Sequence, residues 1–118
     1  MTNNLKPPSS SQASTPAGEP FNLASLAGYV GGSIVSKTLV NRPVGTVTFF
    51  SFDAAQGLSE HSAPYDALVQ ILDGEAEITI GSKVSLVRTG HAIIMPADIP
   101  HAVAAPVPMK MLLTMIRG

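Results

Sequence analysis

Imidazole is the side chain best equipped for chemistry in this sequence. A neutral ring offers a lone pair to zinc, iron, copper, nickel or manganese. Its pKa of about 6.5 also lets it take or give a proton near neutral pH. The chain carries three histidines, His61, His91 and His101, and no cysteine. The lack of cysteine excludes disulfides, thiolate zinc sites and cysteine nucleophiles. His91 follows Gly90 in a turn signal and reads as exposed. That leaves His61 and His101. Ser59, His61 and Asp66 contain the residue types of a catalytic triad, but their spacing supplies no geometry for one.

The elements that must hold these residues read as strands. Candidate strands are Ser33–Leu39, Gly45–Phe52, Ala67–Leu72, Glu75–Ile80, Val84–Val87, Ala92–Met95, His101–Ala105 and Met109–Ile116. Asp73-Gly74 is the sharpest turn signal, because such a pair tolerates the positive φ of a tight hairpin. Gly81-Ser82-Lys83 and Thr89-Gly90 are further turns. In EAEITI, Ala76, Ile78 and Ile80 share one face. In MKMLLTMI, Met109, Met111, Leu113 and Met115 share one face. Asn22 is placed to cap one helical turn over Leu23, Ala24, Ser25 and Leu26. No long helical periodicity follows, so the expected class is an all-β sandwich or barrel after a short N-terminal helical turn.

Composition narrows the function classes. The net charge is −1 and only 13% of residues are charged, which gives no electrostatic reason to expect nucleic acid or an anionic membrane. No apolar run approaches the roughly 18 residues of a membrane span. The N-terminus has no apolar core of a secretory signal, so the expectation is a soluble cytoplasmic protein. Residues 1–20 are rich in Pro, Ser, Thr and Asn and are expected to form a disordered tail. A single domain is expected over 21–118. GYVGGS matches no dinucleotide fingerprint and reads as a loop.

From Gly57 onward the text reads GLSEHSAPYDALVQILDGEAEITIGSKVSLVRTGHAIIMPADIPHAV. It resembles the cupin superfamily, in particular its small single-domain, RmlC-like members. The resemblance covers about Phe21 to Arg117. The family's first motif runs from a Gly through His-x-His and Glu to a second Gly. Anchored on Gly74, it places the Glu position on Ala67, the second His position on Ala63 and the first His position on His61. The second motif matches Gly90, Pro96 and His101, while Asp98 stands where the family has Gly and Ala105 where it has Asn. The resemblance implies a jelly-roll barrel, a double-stranded β-helix. It also implies a divalent transition metal held by His and Glu, of which this chain keeps His61 and His101.

A tight site needs three or four protein ligands. Asp66 adjoins the lost Glu position, but strand alternation aims it opposite to residue 67. Only a bulge near Pro64-Tyr65 could turn it inward. Glu60 has the same difficulty beside His61. Gln70 is expected to face outward. Met111 and Met115 are candidates for lining the cavity, where a thioether suits soft ions such as Cu(I). Replacing ligands by Ala63 and Ala67 leaves an apolar cavity with a few polar groups, the usual shape of a small-molecule site. Small-molecule binding at His61 and His101 is therefore the first expectation. A divalent-metal enzyme, such as an oxygenase, isomerase or decarboxylase-like cupin, is the second. A non-catalytic dimeric scaffold is the third. Ile34, Val35, Leu39 and Val40 put apolar residues on both faces of one strand. This suggests a two-fold homodimer, which a small domain would benefit from.

Overall fold

A computed structural model describes residues 17–117. The expected disordered tail falls largely on residues 1–16, outside the described residues. Ala17 to Pro20 form an exposed turn and bend. Among the described residues, nine strands follow a 3₁₀ turn at Leu23–Ser25. They are β1 (Ile34–Arg42), β2 (Gly45–Phe52), β3 (Gly57–His61), β4 (Asp66–Asp73), β5 (Glu75–Ile80), β6 (Lys83–Arg88), β7 (Ala92–Met95), β8 (His101–Ala104) and β9 (Met109–Ile116). The architecture is all-β, as alternation and turn spacing imply.

The strands form two antiparallel sheets. One has five strands in the order β1-β2-β9-β4-β7, the other four in the order β3-β8-β5-β6. Period-two burial is what holds them together. Ala76 and Ile78 of β5 are fully buried, as are Met109 and Met111 of β9, Val69 of β4 and Phe52 of β2. These side chains meet between the sheets in one apolar cluster. Burying each Val, Ile, Met or Phe side chain contributes about 1.5–3 kcal/mol. The alternation read in β5 and β9 therefore points each strand's apolar face to the common interior. Among the described residues no helix is long and apolar enough to cross a membrane.

β2 departs from simple alternation. Phe50 and Phe52 belong to the inner cluster, yet Phe49 and Ser51, on the opposite face, are also buried. The chain before β1 covers that outer face. Ser51 Oγ donates to the Gly28 carbonyl at 2.9 Å, and Lys110 Nζ to the Ala24 carbonyl at 2.6 Å. Lys110 also lies 5.0 Å from the Tyr29 ring centre, and the Tyr29 hydroxyl donates to the Asp73 carboxylate. The helical turn is present, but the Asn22 side chain makes no capping bond. Its carbonyl instead accepts the Ser25 N–H at 3.2 Å.

Turn geometry explains several residue types. Gly74 has φ +73°, the positive value expected from Asp73-Gly74, and a Cβ there would collide with the Pro108 carbonyl; the turn is not the expected hairpin, however, since it carries the chain from β4 in one sheet to β5 in the other. Ala55 holds φ 71° in the turn between β2 and β3 without being glycine. Bonds between Ala105 and its neighbours across the turn keep it there: Ala55 N–H donates to the Ala105 carbonyl at 2.8 Å and Ala105 N–H to the Gln56 carbonyl at 2.9 Å. A left-handed alanine costs roughly 1–2 kcal/mol, part of which glycine gives back in chain entropy. Ala55→Gly is therefore expected to raise stability by up to about 1 kcal/mol. Chemical denaturation with an unchanged m-value would show this, and a loss of stability would contradict the strain.

Candidate functional site

β3 was not among the strands read from the sequence, and it carries His61. Its segment, Gly57-Leu58-Ser59-Glu60-His61, is mostly polar and exposed. Pairing with β8 makes it a strand. Leu58 pairs with Val103, but His61 pairs with His101, so β3 spends one more residue than β8 over that step. This is a bulge, and it decides the site. Strict alternation would put Leu58 and His61 on opposite faces. With the extra residue both reach the same cavity. Gly57 permits the approach, since a Cβ there would sit 2.5 Å from the Val103 carbonyl oxygen.

The two imidazoles meet edge to face. Their centres are 4.5 Å apart and their planes are inclined at 72°. Each ring is held by a carbonyl two residues earlier. His61 Nδ1 lies 2.8 Å from the Ser59 oxygen and His101 Nδ1 3.2 Å from the Ile99 oxygen. A carbonyl can only accept, so both Nδ1 atoms carry the proton. In the neutral rings this leaves both Nε2 atoms as acceptors. His101 is buried at 5% exposure, while His61 stands exposed at the mouth. Burial pushes the His101 pKa below its ordinary value. The Ile99 carbonyl partly opposes the shift, and the nearby His61 adds to it.

Between the sheets the pair faces an apolar cavity lined by Leu58, Ala63, Ala67, Val103 and Leu113 together with Met95, Met111, Met115 and Tyr65. Its volume is about 40 Å³. That is room for an ion, a water or two, or the end of a ligand. Met111 and Met115 lie where the stripe on β9 implies. Met95 and Tyr65 were not singled out from the sequence. The alternation of Ile93 and Met95 in β7 carries the signal for Met95. No comparable signal exists for Tyr65, which follows Pro64 in a loop.

The two carboxylates considered as third ligands serve elsewhere. Asp66 Oδ1 accepts the Ala97 N–H at 2.9 Å, on the exposed side of β4. Glu60 occupies the bulge and is exposed. Gln70 faces outward as expected, and His91 is exposed. Among the described residues, no three His, Cys, Asp or Glu side chains are grouped to hold one metal ion. The inward neighbours of the imidazoles are alanines and apolar or thioether side chains. The donor set therefore lacks the anionic oxygen that a hard divalent ion requires, and does not fit the His and Glu site implied by the resemblance.

The turn before His101 is clamped to the loop after His61. Asp98 N–H donates to the Ala63 carbonyl at 2.8 Å, beside the Ala97–Asp66 bond. Asp98 has φ 67°, which accounts for the family's preference for glycine at that position. Aspartate is among the few other residues that enter this region readily.

A family model described as Cupin domain matches residues 48–116. Among solved structures, a conserved protein of unknown function from Streptococcus pyogenes is similar at 36% identity. The match covers 93% of this chain and 96% of that one, with a TM-score of 0.85. A cupin 2 conserved barrel domain protein from Leptotrichia buccalis is 44% identical, covering 81% of this chain and 47% of its own, with a TM-score of 0.79. This chain thus spans about half of that protein. A cupin superfamily protein from Desulfitobacterium hafniense is 28% identical over 91% of this chain and 98% of its own, with a TM-score of 0.84. No curated protein matches the chain.

Two outcomes follow from the site geometry. Asp66→Ala removes the acceptor of the Ala97 N–H on an exposed edge and is expected to cost about 1 kcal/mol. Asp66→Asn, which keeps a side-chain oxygen, should recover most of it. Equal losses in the two variants, read by denaturant midpoint, would dismiss the clamp. The second outcome concerns pH. The folded His101 pKa lies below the ordinary histidine value of 6.5, so the unfolded chain binds its proton first as pH falls. Stability from this group is complete above 6.5 and erodes as pH drops below it towards the folded value. His101→Leu should flatten that slope in melting curves, and an unchanged slope would assign it to other groups.

Proposed function

The chain belongs to the Cupin domain family, and from that premise we propose that its barrel binds a small molecule through the His61–His101 pair. The observation that carries this reading is the convergence of two fixed imidazoles on one narrow apolar cavity. Their Nδ1 protons are committed to the Ser59 and Ile99 carbonyls. With neutral rings, the cavity therefore offers hydrogen-bond acceptors. A matching group is a donor, such as a hydroxyl or a phenol.

Size sets the mode of entry. A volume of about 40 Å³ takes the end of a molecule and not its whole body. The donor end would pass exposed His61 and reach buried His101, while the rest of the molecule stays at the mouth beside Tyr65. The apolar lining adds transfer energy for a short hydrocarbon stem, about 25 cal/mol per Å² of apolar area buried. Binding alone accounts for every feature named here, and no reaction step is needed.

A thermal-shift panel of short-chain alcohols, phenols and short-chain carboxylates at pH 8 tests the proposal. Alcohols or phenols should raise the melting temperature in a concentration-dependent way. A ligand at a hundred times its Kd stabilises by about 2.7 kcal/mol. His101→Leu should abolish the response while leaving the fold intact. A panel in which no donor shifts the melting temperature, or in which the shift persists in His101→Leu, would remove the pair as a binding site.

A further inference from the structure

The outer face of the five-stranded sheet is covered over only part of its length. Around Phe49 and Ser51 the chain before β1 closes it. Beyond them one rung crosses all five strands. Val40 of β1 pairs with Val47 of β2, Val47 with Thr114 of β9, Thr114 with Leu68 of β4, and Leu68 with Ile94 of β7. Directly paired residues share a face. Leu68 alternates with the buried Ala67 and Val69, so that face is the outward one. None of the five is charged. Val40 is 47% exposed and Ile94 62%, with Val47, Thr114 and Leu68 half-buried between them. Exposed Phe21 borders the same groove as Val40 and Val47 and extends the band at the β1 end. Contiguous apolar patches of more than a few hundred Å² mark interaction sites.

The next rung carries charge at its ends. Arg42 of β1 pairs with Gly45, Gly45 with Ile116, and Ile116 with Asp66 of β4. Ile116, inside this rung, is 57% exposed. On β1, Lys37 adds to the positive charge of Arg42, and Glu19 borders the groove against them. Asp66 accepts the Ala97 N–H through Oδ1, which leaves Oδ2 to face a cation.

We infer that this face docks on the same face of a second copy of the chain. A two-fold axis running along the strands, between β2 and β9, satisfies both rungs at once. It sets Val47 over the partner's Thr114, Val40 over the partner's Leu68 and Phe21 over the partner's Ile94. Apolar thus meets apolar along the whole band. The same axis sets Arg42 over the partner's Asp66, and does so twice. Self-complementarity of this kind is what an isologous interface needs. Two sheets packed in this way interdigitate at about 10 Å, with strand directions within about 30°. Residues 1–16 match the face poorly, since besides prolines they bring only Met1, Leu5 and Ala13 as apolar side chains.

Two rungs about 7 Å apart on strands about 4.8 Å apart give, with their bordering side chains, a footprint of roughly 400 Å². A standard interface buries about 800 Å² per partner. The dimer is therefore of the exchanging kind. The homodimer expected from the apolar residues of β1 takes Val40 from that strand, while Ile34 packs against the inner cluster and the other four strands supply the rest. The inference is independent of what the cavity binds.

Sedimentation of the full chain from about 1 μM to about 1 mM tests it. The expected result is a concentration-dependent rise from the mass of one chain to that of two. Thr114→Lys puts a charge into the middle of the band and should hold the protein at monomer mass. Arg42→Glu leaves the band intact and should weaken association by roughly tenfold, because the axis counts each rim pair twice. Leu86→Lys is the control. Leu86 is exposed and pairs with outward-facing Glu77 on the four-stranded sheet, so this variant should dimerise like the wild type. Circular dichroism checks each fold. A second readout leaves the band unaltered. The chain has no cysteine, so a nitroxide on Asn41→Cys is unique. Mixed with isotope-labelled wild type, it should broaden the Leu68 and Ile94 amides of the other copy. A mass that stays monomeric at the top of the range, a dimer indifferent to Thr114→Lys, or broadening centred on the four-stranded sheet would each overturn the inference. Broadening of Leu68 and Ile94 within one copy, by a nitroxide on Leu5→Cys, would give the face to residues 1–16 instead.

Discussion

The register between β3 and β8 is the constraint on which the site depends. One extra residue in β3 brings His61 opposite His101 and turns both rings inward. Without the bulge, alternation would send His61 to solvent while Leu58 stayed inside. Gly57 lets the strands come close enough for this pairing, because any side chain there would meet the Val103 carbonyl. Once paired, each ring is fixed by the carbonyl two residues before it. A short polar strand and two backbone oxygens therefore set both the positions and the tautomers of the pair.

The acidic residues near the site have been drawn into the scaffold. Asp66 holds the Ala97 N–H, and Asp98 takes a left-handed turn whose N–H is held by Ala63. Together they lock the loop after β3 to the turn before β8. The same arrangement keeps carboxylates out of the cavity, whose walls are alanine, valine, leucine, methionine and tyrosine around two imidazoles. An uncharged, acceptor-rich and narrow space is the result. It suits a hydrogen-bond donor better than a hard ion, because nothing in its walls neutralises a divalent charge.

The segment before β1 solves a separate problem. The five-stranded sheet has an outer face that buries Phe49 and Ser51. The chain around Ala24 and Gly28 closes over that face and is pinned by Lys110, Ser51 and the Tyr29–Asp73 contact. Burial, followed by the Asp73 hydrogen bond and charge, pushes the Tyr29 pKa well above its ordinary value. The hydroxyl therefore remains a donor throughout the physiological range. None of this reaches the cavity directly, but β9 carries Lys110 on the outer side and Met109 and Met111 on the inner. Covering one face thereby steadies the strand that lines the other.

Period-two alternation and glycine turns made the fold legible from the sequence alone. The inward stripe of β9, the buried face of β5 and the positive φ of Gly74 are local properties, set by which side a residue takes and which φ it can adopt, whereas the hairpin that Asp73-Gly74 suggests does not form, because β4 and β5 pair in different sheets. β3 was not legible, because a polar pentapeptide becomes a strand only when another strand pairs with it. The bulge that turns His61 inward is equally non-local, since it exists only as a mismatch between two segments. Asp66 could be placed on the outer side by alternation, but its partner Ala97 could not be named. Met95 joined the site through its pairing with Ala67 across the sheet. Residue types and spacing thus determined the barrel and offered the two histidines, while strand pairing decided their distance, their exposed nitrogens and the sulfur-lined space they share.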